Sequence, residues 1–300
     1  MNAVVKLFIG CDPNDCDLEQ LMVLHYSIVK YSSLPVDITF MQLTRDPSSF
    51  WYSGLKPEEG WNTTEWPTPF SGFRWGIPAY CGGKGRALYM DADIFALSDI
   101  AELWNLPIPQ GKVMLASGQG RDLRLGTLMW DCEAAMKLLP PLAEIKKDAS
   151  AHKKLKTFFE KHPEYIQPLD PAFSNLDGDG MPLEALKFLH YSDMGTQFSH
   201  KYSLKRLKGE ERTHWFDGTI YNHPRPDLQQ KFDELYKEAL EAGFSLDTYR
   251  VKEHFGVLPK KRRCVTKVTR LHARHFGFLN HLGKNMLAYA MRFQCIGRVP

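Results

Sequence analysis

Apolar and polar positions along the chain alternate between two periods. Val4 to Gly10 is a mostly apolar run closed by Cys-Asp-Pro-Asn-Asp, the pattern of a central strand ending in a polar loop that could hold a ligand. From Leu18 to Tyr31, Leu21, Met22, Leu24, Ile28 and Val29 keep a helical stripe that includes His25, and Pro35 marks its exit. Val36 to Leu43 reads as a second strand. Strand, helix and strand in that order predict a βαβ unit, in which ligands bind at the carboxyl ends of parallel strands. Asp12 falls in that favoured place, and reads equally well as a solvated turn residue beside Pro13.

Residues 44 to 73 carry Trp51, Trp61 and Trp66 with Pro57, Pro67 and Pro69 but little periodicity, which predicts a long ordered loop of the kind that serves as a lid or binding loop. A short helix or turn with Arg74 follows and ends at Ile77-Pro78. Cys-Gly-Gly-Lys-Gly-Arg lacks the order of a Walker phosphate loop and reads as a tight turn. It leads into Ala87-Leu-Tyr-Met-Asp-Ala-Asp-Ile-Phe-Ala96, an apolar run broken by Asp91 and Asp93, which a strand of period two would point the same way. Asp99 and Glu102 have capping-box spacing for a short helix through Leu103 and Trp104, closed by Pro107 and Pro109.

Val113 to Ser117 and Leu125 to Trp130 read as strands, and Glu133 to Leu139 and Ala151 to Phe159 as helices parted by Pro140-Pro141. Leu176-Asp-Gly-Asp-Gly180 looks like a calcium loop, but the later ligands are missing and a turn is the better reading. Ala185 to Met194 is a largely apolar strand running into His190 and Asp193. Tyr221-Asn-His-Pro-Arg-Pro226 reads as a boundary or an arm, and Asp227 to Ala242 as an amphipathic helix stopped by Gly243. Two units are expected: an α/β catalytic domain over 1–225, and a helical, basic C-terminal extension over 226–300.

Two unpaired carboxylates at the end of a buried strand repel each other and are costly to desolvate, so Asp91 and Asp93 call for a cation. Oxygen ligands on a short turn suit magnesium or manganese, which leave positions open for water and a substrate's phosphates. The alternative is a plain turn, or an Asp pair capping the helix near Asp99. His190 reads either as a structural strand-end residue or as a third ligand arriving from another strand.

The 300 residues suffice for a full core, and the net charge of +3 with dispersed basic residues argues against a nucleic-acid partner. Cysteines at 11, 16, 81, 132, 264 and 295 are too scattered for a zinc site. The start of the chain shows no signal-peptide pattern, and no stretch reaches the roughly 18 apolar residues of a membrane span, so a cytoplasmic protein is expected. Lys260-Lys-Arg-Arg263 opens a basic segment interleaved with Phe276, Phe278, Leu282 and Phe293. It can lie on an anionic membrane surface, or equally pack on the domain as a solvated helix.

Arg74 upstream, the run from Arg86 through the two aspartates to Leu103-Trp104, and the late Leu-His-Tyr-Ser-Asp-Met together resemble glycosyltransferase family 8, over roughly residues 4 to 200. The resemblance implies a retaining, metal-dependent hexosyltransferase of GT-A fold, with a mixed, mostly parallel sheet flanked by helices. It would move a sugar from a nucleoside-diphosphate sugar to a saccharide, lipid-linked or protein acceptor. It implies manganese, or magnesium, on Asp91, Asp93 and His190, and a nucleoside pocket lined by Gly10, Cys11, Asp12 and Asn14, with Ala92 between the metal carboxylates. Arg74 would meet the donor's diphosphate or sugar.

The chain departs from the family in two places. Where Asn-Ala-Gly-Val is common, it reads Arg124-Leu-Gly-Thr127, and the late motif lacks the usual Lys and Trp, leaving Gln197 as a neutral substitute at the leaving phosphate. Asn175 and Asp177 are the nearest counterparts of the family's Asp-Gln pair near the reacting carbon. Two other functions fit the same carboxylates: a nucleotidyltransferase, against which the acidic Gly10 to Asp17 loop argues, and a noncatalytic sugar-nucleotide or membrane-binding protein.

Overall fold

A computed structural model describes residues 4–258. The basic segment beginning at Lys260 lies outside the described residues.

The main sheet has six strands: β1 (Val5–Gly10), β2 (Val36–Met41), β3 (Arg86–Asp91), β5 (Met114–Ser117), β6 (Arg124–Asp131) and β7 (Ile166–Pro168), in the order β2-β1-β3-β6-β5-β7. β1 is parallel to β2 and β3, and β5 is parallel to β7. β6 runs antiparallel to both of its neighbours, β3 and β5. A smaller sheet holds β4 (Ile94–Ala96), β9 (Phe188–His190) and β8 (Asn175–Leu176), in that order.

Period-two alternation divides the core between the two faces of the main sheet. Leu7, Ile9, Leu88 and Met90 point to one side, where α1 (Leu18–Tyr31) and α3 (Ile100–Trp104) cover them. Phe8, Tyr89, Leu128 and Trp130 point to the other. There they meet Trp51, Trp61 and Trp66 of the long loop together with α4 (Cys132–Leu138), α5 (Leu142–Lys147) and α6 (Ala151–Lys161). The loop after β2 thus has no helix or strand until the 3-10 turn Phe73–Trp75, yet it is anchored by three buried indoles. α8 (Pro226–Glu241) buries Leu228, Phe232, Leu235 and Ala239. Ala239 joins the core face that α1 covers, and the other three join a third cluster with Phe95, Leu189 and Tyr191.

Several expectations need correction. The run Ala87–Ala96 is two strands: β3 ends at Asp91, the chain bends through Ala92 and Asp93, and β4 joins the smaller sheet. Ile77-Pro78 does not end a helix but begins α2 (Ile77–Tyr80), because a proline in the first turn has no N–H to waste. Asp99 caps α3 by accepting from the Ala101 amide at 2.8 Å, but Glu102 turns to Lys187 and completes no capping box. The apolar run from Ala185 to Met194 yields only the three residues of β9. α5 and α7 (His200–Gly209) are additions to the expected elements.

Candidate metal centre and adjoining cleft

Asp91 is the last residue of β3, opposite Gly10 of β1. After the bend, Ile94 pairs with His190 in the antiparallel β4/β9 ladder, and the Tyr191 amide donates to the Asp93 carbonyl at 3.1 Å. This pairing sets His190 beside the bend. Its Nε2 lies 3.1 Å from Asp93 Oδ1 and 3.8 Å from Asp91 Oδ2, and one ligand atom from each of the three residues falls within 4.8 Å of the others.

Each carboxylate uses its other oxygen to fix its orientation. Asp91 Oδ1 accepts from Arg74 Nη2 at 3.0 Å and from the Tyr89 hydroxyl. Asp93 Oδ2 accepts from Gln197 Nε2 at 2.9 Å. Burial is the main influence on Asp91 and raises its carboxyl above the usual range; Arg74 and His190 oppose the rise and Asp93 adds to it. Two carboxylates and an imidazole converging with one oxygen of each held from behind suit a divalent cation, since outer partners of this kind orient ligands at metal sites. The expected ligands Asp91, Asp93 and His190 are therefore brought together, and Ala92 between them is a buried core residue.

Arg74 serves this centre mainly as a clamp. Its Nε donates to the Ser71 carbonyl at 3.0 Å, Nη1 donates to the Leu125 carbonyl, and its guanidinium carbon sits 4.5 Å from the Tyr89 ring centre. Behind it, Trp130 Nε1 donates to the Arg74 carbonyl at 3.1 Å and Trp75 Nε1 donates to His152 Nδ1 at 3.0 Å. Gly126 was noted in the sequence only as part of a departing motif. A Cβ there would run into the His190 ring and stand 3.0 Å from Asp91 Oδ2, so the centre requires glycine at this position.

The loop after β1 is built around acidic side chains. Asp12 is buried; its Oδ1 accepts from the amides of Asn14 at 2.8 Å and Cys16 at 3.0 Å, while Oδ2 has no hydrogen-bond partner among the described residues. Burial, then the charge of Asp17, pushes the Asp12 carboxyl up to about 6. Burial would raise Asp17 as well, but His214 Nε2 at 2.7 Å and Trp215 Nε1 at 2.9 Å bring it below its usual range. Gly10 closes β1 at Asp91's level. Cys11 does not line a pocket with its side chain: the thiol is in the core and its amide donates to the Met41 carbonyl at 3.0 Å.

A cleft of about 900 Å³ opens over this loop, bordered by Asn14, Trp66, Thr68, Trp215, Phe216 and Val257. Nothing in the sequence tied Trp215 or His214 to Asp17, because the pairing spans nearly two hundred positions.

The remaining expected residues separate. Gln197 belongs to the metal centre, with its carbonyl oxygen buried and unpartnered among the described residues. Asn175 pairs in register with Leu189, next to His190, and borders a second hollow of about 420 Å³ with Arg124 and Asp179. Asp177 is buried and held by its neighbours: its Oδ2 stands 3.0 Å from the His223 Nε2 and its Oδ1 accepts from the Gly178 amide at 3.1 Å. Arg124, in the place of the family's asparagine, is ion-paired with Asp179.

With this geometry in view, comparison with known proteins gives the fold. The galactosyltransferase LgtC, solved with donor and acceptor sugar analogs, matches at 12% identity with a TM-score of 0.50, covering 78% of this chain and 96% of that one. The glycosyltransferase GlyE of Streptococcus pneumoniae TIGR4 matches at 13% identity with a TM-score of 0.47, covering 81% of this chain and 64% of that one. In sequence, Protein CDI of Arabidopsis thaliana is 34% identical over 103 residues, 34% of this chain and 36% of that protein. The chain thus matches about a third of that relative's length. No protein-family model matches. The mixed, mostly parallel sheet flanked by helices is the GT-A glycosyltransferase fold.

Proposed function

We propose that the protein is a metal-dependent glycosyltransferase that moves a sugar from a nucleoside-diphosphate sugar to a hydroxyl-bearing acceptor. The observation that carries this reading is that the Asp91–Asp93–His190 centre begins at the carboxyl end of β3, in register with the end of β1, whose following loop borders the cleft at Asn14. LgtC, with the same fold, was solved with donor and acceptor sugar analogs.

Cleavage of a sugar–diphosphate bond builds negative charge on the leaving phosphate, and catalysis is then mostly positioning and electrostatic stabilisation. Asp91, Asp93 and His190 would hold a divalent cation, which when bound supplies positive charge to the diphosphate. The chain's own groups do the rest. Trp66, Trp215 and Phe216 offer flat apolar surface for a nucleobase, and the buried Asp12 shapes the loop beneath them by accepting from the Asn14 and Cys16 amides. Arg74 and Tyr89 hold Asp91, and Gln197 holds Asp93.

An imidazole in the ligand set favours manganese over magnesium, which prefers oxygen. Hexosyl transfer with retention, a cytoplasmic setting and contact with an anionic membrane through residues 260–300 complete the proposal.

The test is donor hydrolysis with purified protein and manganese over a panel of UDP- and GDP-sugars. Release of the nucleoside diphosphate supports the reading. Pyrophosphate as product would identify a nucleotidyltransferase instead, and no turnover with any donor, together with donor binding unaffected by Asp91→Ala, would leave a noncatalytic binding protein.

A further inference from the structure

The Asn14 side chain does not face the cleft as a free amide. Its Nδ2 donates to the Gly256 carbonyl at 2.9 Å, and its Oδ1 accepts from the Gly256 amide at 2.9 Å. Both ends of the side chain are thus engaged by one residue at the far end of the described chain, in a cyclic pair like that between neighbouring β-strands.

The segment around Gly256 is tied to the same loop at every step. The Val251 amide donates to Asp15 Oδ1 at 2.9 Å, His254 Nε2 lies 3.0 Å from Asp15 Oδ2, and the Phe255 amide donates to the Pro13 carbonyl at 3.2 Å. Phe255 is buried, with the Arg45 guanidinium 3.6 Å from its ring centre. Asp15 is held in the left-handed region at φ 56°, which turns its carboxylate toward these donors. Gly256 adopts φ 90°, where a side chain is disfavoured, and it is this turn that aligns its N–H and C=O with one amide.

His254, Gly256, Val257 and Leu258 border the same cleft as Asn14, Trp215 and Phe216. They wall it without filling it, since the cleft stays open at about 900 Å³. We propose that residues 254–258 form a wall of the nucleoside cleft, and that Asn14 is the positioning residue that holds this wall in place instead of reading the nucleoside itself. The inference rests on the reading of this cleft as the seat of the donor's nucleoside. It explains why an asparagine at the mouth of the cleft has both amide ends bonded to the chain. The nucleoside contacts then fall to the aromatic side chains of the cleft.

The test compares the full-length chain with its Asn14→Ala, Asn14→Asp and His254→Ala variants. Hydrogen exchange over 254–258 reports the wall, tryptophan fluorescence with UDP or GDP in the presence of manganese reports the cleft, and manganese titration alone reports the metal centre. In Asn14→Ala the Phe255 and Gly256 amides should exchange faster, and the nucleotide dissociation constant should rise about tenfold, the scale of one or two lost hydrogen bonds. Manganese affinity should stay unchanged. Asn14→Asp keeps the acceptor for the Gly256 amide and should fall between. His254→Ala, which loosens the wall at Asp15 without touching Asn14, should give the same pattern even if Asn14→Ala folds poorly.

Unchanged exchange in Asn14→Ala would overturn Asn14 as the holder of the segment. Faster exchange with unaltered nucleotide affinity would overturn the wall. A wild-type chain that binds neither nucleotide would instead defeat the donor reading on which the wall depends, a result distinct from either failure in the variants.

Discussion

His190 Nε2 stands 3.1 Å from Asp93 Oδ1 because His190 is paired with Ile94, the residue that follows Asp93. The distance is set by a strand register and not by a loop, so the imidazole is positioned by backbone hydrogen bonds that survive its own replacement. His190→Ala should therefore leave the fold intact and remove one ligand. In thermal denaturation, manganese should raise the midpoint of the wild-type chain by mass action and leave His190→Ala and Asp93→Ala nearly unmoved.

The residues behind the carboxylates give a second prediction. Tyr89→Phe removes the hydroxyl that donates to Asp91 Oδ1 while keeping the ring beneath Arg74. Loss of such an outer partner should weaken manganese binding about 10- to 100-fold. Gly126→Ala should do more, because its methyl group enters the space of the His190 ring. Calorimetric titration of each variant with manganese would check the order.

His152 supplies a pH prediction. Burial, then the charge of Arg74, lowers its pKa from 6.5 to about 3, so it stays neutral and accepts from Trp75 Nε1. With the folded value below the unfolded one, the unfolded chain binds the extra proton between them. Stability is intact above pH 6.5 and is lost as pH falls through that window, by up to about 1.4 kcal/mol per pH unit. His152→Gln keeps a neutral acceptor, and its midpoint of thermal unfolding should fall less steeply on acidification.

Asp12 should act in the opposite sense. Its folded pKa of about 6 lies above the ordinary 3.8, so its ionisation destabilises the fold progressively as pH rises from 3.8 toward 6. Asp12→Asn keeps an acceptor for the Asn14 and Cys16 amides and carries no charge, so it should remove this loss. The midpoint of thermal unfolding followed from about pH 4 to 7 checks it: the wild-type chain should fall relative to Asp12→Asn as pH rises, and parallel curves would overturn it.

The basic segment supports a separate measurement. Removing residues 260–300 should reduce sedimentation with vesicles containing anionic lipid, and increasingly so at low salt. Unchanged partition would return the segment to a role in packing.

Much of this was legible in the sequence where pattern and chemistry coincide. The span Leu18–Tyr31 is helical as its apolar stripe predicts, and Asp91, Asp93 and His190 converge. What was not legible depends on contacts between distant positions. α7 leaves no apolar stripe in the sequence, because only His200, Ser203 and Leu207 face inward. His223 against Asp177, and Gly256 on both ends of the Asn14 side chain at the edge of the cleft, are pairings of this kind. Hydrophobic period reports the local element, and it carries no information about which loop closes on which.

The bend at Ala92–Asp93 has a mechanical meaning. Asp91 ends a strand of the main sheet, whereas His190 lies in the smaller sheet and is joined to Asp91 through one short bend and one ladder. A cation held by Asp91 and His190 would tie the two sheets a second time, across side chains, where the backbone already ties them through the bend and the β4/β9 ladder. Occupancy of the centre and stiffness of that junction would then rise and fall together.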